Sequence, residues 1–335
     1  MAVTPPANGF YGTVFIGGKR YTVAAAPQFR MPRNIAVAPA IGNGMPYLYA
    51  EGVMFPTVTL SLIPRDETAA STRGNPLSSA FLNFALARSA VPMGDTSVIG
   101  GAQPGSAPSP PILGTDIINT GGAGIAFADG ARLVLMYGVK METFSISCSK
   151  GSDLAISATF VGTGVYIYNI DQTALGTDAI QSLIQSMLVT TGECPAQVRF
   201  DSVTFEEAWL AGKVFGFNLT YRNGHTPNMG LDGTKFPAQH NAAMPSGSMS
   251  LTVQGMDSIP GDLASSPGDN VTLNITSPGG KTARIQAPRC VVENPYDMSA
   301  PLGRVMRTYA LTLMGECSVP NTSPAALLQL LSSTF

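Results

Sequence analysis

The sequence predicts a mainly β protein: a β-sandwich or partial barrel of antiparallel strands with short flanking α-helices. Three observations lead there. Runs that alternate apolar with small polar residues recur along the chain. The 335 residues include 36 glycines and 26 prolines, a density of turn formers that suits many strands better than long helices. Helical spacing is confined to three short segments.

In chain order, "TVTLSL" sets Val58, Leu60 and Leu62 against Thr57, Thr59 and Ser61, one apolar face and one hydroxyl face. A helix is predicted near 76–89 in "NPLSSAFLNFALARS", with Asn75 as N-cap, Pro76 at the first helical position and Leu77, Phe81 and Phe84 on one stripe. A Gly/Pro/Ser-rich stretch over 94–130 reads as a long loop, either an insertion or an arm that orders on a neighbour. "VKMETFSISCSKGSDLAISATFVGTG" then sets Phe144, Ile146 and Cys148 against Thr143, Ser145, Ser147 and Ser149. A second helix is predicted near 178–190, where Ile180, Leu183, Ile184, Met187 and Leu188 recur at helical spacing after Thr177. "KVFGFNLTYRNG" opposes Phe215, Phe217, Leu219 and Tyr221 to Val214, Gly216, Asn218 and Thr220. "SMSLTVQG" and "NVTLNITSPGG" repeat the device around the Gly/Pro-rich stretch 257–269, and "VMRTYALTLMGE" reads as a last long strand carrying Tyr309, Leu311 and Leu313. A third helix is predicted near 324–331, with Ser323 and Pro324 at its start.

An internal repeat divides the chain into units at 1–168 and 169–335, the alternative being one domain. "FRMPRNIAVAPAIGNGMPYLYAEGVMFPTVTLSL" and "FNLTYRNGHTPNMGLDGTKFPAQHNAAMPSGSMSLTV" share an order of strand, Asn/Gly-rich loop, proline near an aromatic residue, and alternating strand. "LAISATFVGTG" and "TYALTLMGEC" read as the matching closing strands.

Composition narrows the function. Charged residues are 12% of the chain, about half the roughly 25% usual for soluble domains. A monomer with so little charge would be poorly soluble, so much of its surface is expected to lie against other subunits. The formal net charge of −2 offers no basic nucleic-acid groove. No membrane helix and no secretory signal are expected, and Cys148, Cys194, Cys290 and Cys317 are too widely spaced for a CxxC motif. These cysteines are expected to be reduced and buried.

No catalytic centre, cofactor or metal site is expected. The two histidines, His225 and His240, share one polar loop without ligand-spaced partners. The adjacent Glu206 and Glu207 of "FEEAW" would diverge on a strand, no GxSxG elbow occurs, and "GGAGIAFADG" lacks a phosphate-binding fingerprint. The N-x-T/S triplets lie mostly in strand-like runs and read as chance in a Thr-rich chain. What remains is a sheet whose polar face carries hydroxyls instead of charges. Such a face suits the wall of an assembly that closes on joining subunits.

At this point the residues resemble a family. "YGVKMETFSISCSKGSDLAISATFVGTG", "KVFGFNLTYRNGHTPNMGLDG" with "FPAQHNAAMPSGSMSLTVQG", and "ENPYDMSAPLGRVMRTYALTLMG" resemble the recurrent hairpin, second signature and closing strand of bacteriophage tail tube (major tail) proteins. The resemblance spans residues 130–165 and 205–316. It implies a virion structural protein, made in the host cytoplasm, whose subunits join into rings. Their inner strands form one barrel, and the rings stack into a tube that conducts DNA. It implies no catalytic residue. Its implied partners are further copies, other tail proteins (tape measure, terminator, baseplate or tip) and viral DNA passing through without sequence-specific binding. A trimer of two-unit chains would mimic a six-fold ring, and a hexamer is expected if the chain is a single unit. Either the hydroxyl face of Thr143, Ser145 and Ser147 or that of Ser248, Ser250 and Thr252 is expected to line the channel. The rival expectation is a β-rich adhesin or capsid-decoration protein.

Overall fold

A computed structural model describes residues 13–39, 46–66, 73–86, 124–169, 202–254, 269–293, 306–314 and 327–335, with short breaks at 18, 129–131, 163, 229–238 and 243–244. The chain is mainly β, built from antiparallel sheets and one described helix.

The first half contributes β1 (Thr13–Ile16), β2 (Lys19–Thr22), β3 (Gln28–Arg30), β4 (Arg33–Pro39), β5 (Pro46–Met54), β6 (Thr57–Leu62), α1 (Ser79–Leu86), β7 (Gly124–Ala128), β8 (Arg132–Tyr137), β9 (Lys140–Ser149), β10 (Ala155–Val161) and β11 (Gly164–Asn169). The second contributes β12 (Val203–Phe205), β13 (Val214–Arg222), β14 (His225–Asn228), β15 (Gln239–Ala242), β16 (Ser246–Gln254), β17 (Asp269–Thr276), β18 (Thr282–Val292), β19 (Met306–Leu313) and β20 (Gln329–Ser333). A large sheet runs β12-β17-β18-β19-β16-β13-β9-β10-β6-β3, with β20 beside β18, and a smaller one runs β11-β8-β7-β1-β2. β4–β5 and β14–β15 form separate two-stranded ribbons.

The same pairing scheme occurs twice. In the first half β3 pairs β6 across the β4–β5 ribbon, β6 pairs β10, and β10 pairs β9. In the second half β13 pairs β16 across the β14–β15 ribbon, β16 pairs β19, and β19 pairs the last part of β18. The outer strands repeat as well. β1-β7-β8-β11 in the first half matches β12-β17-β18-β20 in the second. The first half divides into β8 and β9, at Gly138 with its left-handed φ of 58°, what the second half runs as one long strand, β18. The two four-strand arrays then join edge to edge through β9 and β13, so one sheet crosses residue 168 without a break.

Alternation decides which face is buried. Val58, Leu60, Phe144, Ile146, Ile156, Phe160, Phe217, Leu219, Met249, Leu251 and Leu311 all point into one core, which also takes Val14, Ile125, Phe127, Val134 and Met136 from the smaller sheet. Burying each such side chain contributes about 1.5–3 kcal/mol. Helix α1 lies over this apolar face. Phe81 meets Phe144 at 6.2 Å and Tyr21 at 5.5 Å between ring centroids, and Phe84 stacks near Phe160 at 6.4 Å.

Four expectations change. The helix near 76–89 begins at Ser79, because Asn75 caps the preceding turn through Leu77 N–H while the Ser78 hydroxyl accepts from Phe81 N–H. Within the 94–130 stretch, residues 124–128 form β7, buried on both faces between β1 and β8; such a strand shows no alternation and so reads as loop. The helix expected near 324–331 is instead β20 where it is described. Its backbone satisfies the edge of β18 opposite β17, and the Ser333 hydroxyl donates to Leu77 O at 2.6 Å. His225 and His240 stand on paired strands β14 and β15, two residues out of register, with His240 opposite Pro227, rather than in a loop. The helix expected near 178–190, residues 94–123 and residues 257–268 lie outside the described residues.

Candidate functional site

The hydroxyl face of the large sheet is assembled by register. Thr143, Ser145 and Ser147 of β9 lie opposite Arg222, Thr220 and Asn218 of β13, which in turn lie opposite Ser246, Ser248 and Ser250 of β16. Thr252 follows on the same face, opposite Gly216 and Thr308. The two hydroxyl sets that sequence offered as alternatives are therefore one surface. Both belong to it, with a single strand between them.

The surface is wider than those six residues. One row of hydroxyls crosses six strands as Ser61, Ser157, Ser145, Thr220, Ser248 and Thr312. A second runs through Thr59, Thr159 and Thr143 before meeting Arg222. Cross-strand hydroxyl bonds tie neighbours together, Thr59 Oγ1 to Thr159 Oγ1 at 3.0 Å and Thr252 Oγ1 to Thr308 Oγ1 at 3.2 Å. The candidate residues are half-buried or, at Ser248, exposed, which is the accessibility of side chains packed laterally on an open sheet face. The apolar face behind them is the one that α1 and the smaller sheet cover.

Charge is confined to the margins of this face. Arg30 and Arg222 are exposed and occupy matching places: each lies three residues before its two-stranded ribbon, opposite Thr57 and Ser246 respectively. Glu142 sits at the bulge between β9 and β10, and Glu293 accepts a hydrogen bond from the Thr312 hydroxyl at 2.6 Å. At the far end of β9, Lys150 lies over the Phe215 ring, 4.7 Å from its centroid. Between these margins the rows carry hydroxyls, amides and small residues. They can hold water and accept or donate hydrogen bonds, but they present no fixed charge to a polyanion.

Elsewhere among the described residues, several titratable groups make internal contacts. Glu206 and Glu207 diverge. Glu206 forms a two-pronged pair with Arg284 (2.7 and 2.8 Å) that holds its carboxyl below the ordinary range, while Glu207 accepts from Thr272 N–H at 2.7 Å and is pushed up by burial. Cys148 and Cys290 are buried; burial, then the nearby Glu207 and Asp269, pushes the Cys290 thiol up to about 12. Among the described residues, no group of His, Cys, Asp or Glu is arranged to hold a metal ion, and no helix is long and apolar enough to cross a membrane.

The sequence missed the width of the surface. The hydroxyls of "TVTLSL" and of the 308–312 strand were visible as alternation, but which strands lie side by side is a long-range property. No family model matches the chain, and no curated protein matches its sequence.

Proposed function

We propose that this chain is a virion structural protein that assembles into stacked rings forming a phage tail tube, the conduit for DNA. The observation that carries the reading is the doubled array. Two four-strand units join edge to edge through β9 and β13 into one surface, apolar on one side and hydroxyl-lined on the other. A sheet built by lateral addition of equal units extends by adding further units, and it is rid of its open edges by closing into a ring. Two units per chain favour three chains in a six-unit ring.

The hydroxyl face is the side that would line the bore. Each Lys or Arg contact to a phosphate adds a salt-dependent attraction, so a wall whose charges are kept to its margins lets DNA slide. The low charge of the chain fits a subunit buried on its sides and between rings. The resemblance of residues 130–165 and 205–316 to tail tube proteins supports the same reading.

Electron microscopy of the purified full chain tests it. Stacked rings with a central pore are expected. Isolated globules or spikes would instead favour an adhesin or a capsid-decoration protein.

A further inference from the structure

The internal β9–β13 junction is a template for contacts between chains. Thr143 lies opposite Thr159, and Thr159 opposite Thr59; in the second unit Val291 lies opposite Thr312, and Thr312 opposite Ser248. Thr59 and Ser248 are matched in turn, each two residues beyond the partner of the margin arginine, Thr57 or Ser246. Val291 therefore stands in the second unit where Thr143 stands in the first. By the same reasoning Val292 matches Phe144, Glu293 matches Ser145, and Gln28, Phe29 and Arg30 match Thr220, Tyr221 and Arg222.

Among the described residues both outer edges are open. β3 ends the large sheet, with β6 as its only partner in that sheet's strand order. The last pair between β17 and β18 is Asp269 with Cys290, so beyond it Val291 to Glu293 have β19 on one side and no described strand on the other. With respect to the described strands, each edge offers outward-facing backbone groups of the kind that β9 and β13 satisfy for each other inside the chain.

We infer that Gln28–Arg30 of one chain pairs antiparallel with Val291–Glu293 of a second copy, with Arg30 opposite Val291, Phe29 opposite Val292 and Gln28 opposite Glu293. The inference rests on the ring reading above. The template is the internal register of Thr143 with Arg222, Phe144 with Tyr221 and Ser145 with Thr220. Phe29 and Val292 already point to the core side, Phe29 lying 5.9 Å from Phe127 between ring centroids and Val292 being buried, so the pairing continues the apolar layer. On the other side the outer seam differs from the inner one. A carboxylate, Glu293, replaces Ser145 and meets the amide of Gln28, with Arg30 one diagonal step away. That contact favours joining chain to chain in this register.

The test is a full-length Gln28→Cys/Glu293→Cys chain, oxidised after assembly, with the joined peptides mapped by mass spectrometry and the same sample imaged. Each single variant serves as control against Cys148, Cys290 and the remaining cysteines. A disulfide between residues 28 and 293 of different chains, with a ladder of linked species ending at three chains, is the expected result. Rings that form without this link, or that link elsewhere, overturn the seam and leave the tube reading standing. Unlinked monomers without rings overturn both. A second variant checks the contact without cysteine. Glu293→Lys is expected to abolish ring formation and added Gln28→Glu to restore it; no effect of Glu293→Lys on rings would contradict the seam.

Discussion

Asn223 ties the two halves together at a single side chain. Its amide donates to Ala85 O at the end of α1 and to Met141 O in β9, both at 2.9 Å and both buried, while its own backbone N–H donates to Glu142 O. Asn223→Ala would leave two buried carbonyls short of a donor, and the expected loss is about 2 kcal/mol in urea unfolding. Glu207 sets a pH dependence. Its carboxyl lies above its ordinary 4.5 in the folded chain because burial disfavours the charged form. The folded state therefore binds more protons than the unfolded one above that value, and this residue's contribution falls as pH rises from 4.5 toward the folded value. Glu207→Gln can still accept from Thr272 N–H. It is expected to flatten the decline of Tm with rising pH in that range, read by thermal melts at several pH values.

At the scale of elements, the second-half strand β20 and the first-half helix α1 pack together. Ser333 bonds to Leu77 O, and Leu328 and Phe335 are buried in the common core. The hairpin turn between β17 and β18 also docks on the first half, where the Ser277 hydroxyl donates to Asp66 and Gly279 leaves no room for a Cβ beside that carboxylate. Phe335→Ala is expected to cost about 3 kcal/mol in denaturant unfolding, the usual scale for losing a buried aromatic ring. These elements also mark what sequence could tell. Strands with one wet face, such as β6, β9 and β16, announced themselves by alternation, and the Leu77, Phe81 and Phe84 stripe located α1. β7 did not, because a strand buried on both faces loses the period of two. β20 did not either, because Ser-Pro followed by Ala and Leu is good helix chemistry locally, and only the open edge of β18 turns it into a strand.

At the scale of the molecule, the same strand-pairing scheme occurs in both halves. The sequence offers two similar passages of strand, Asn/Gly-rich loop and alternating strand, but the matching of β1-β7-β8-β11 with β12-β17-β18-β20 has no local signature. It depends on pairings between residues distant in sequence, such as Phe15 with Ala126 in the first half and Val203 with Ile275 in the second, and on a long strand that Gly138 divides in one half only. The hydroxyl surface was legible strand by strand and illegible as a whole for the same reason. Its proposed role gives a direct expectation. Lysines placed together at Ser145, Ser147, Ser248 and Ser250 should leave rings intact and slow DNA passage, with a strong salt dependence, in an ejection assay with assembled particles. Unchanged passage would remove these residues from the bore.

The mass of one isolated ring, by native mass spectrometry or sedimentation and paired with its image, tests the tube assembly most directly. Three chains are expected, about three times the 34.8 kDa of one chain, in a ring that shows six similar lobes. Six chains in the ring, or a stable monomer at every concentration, would contradict it.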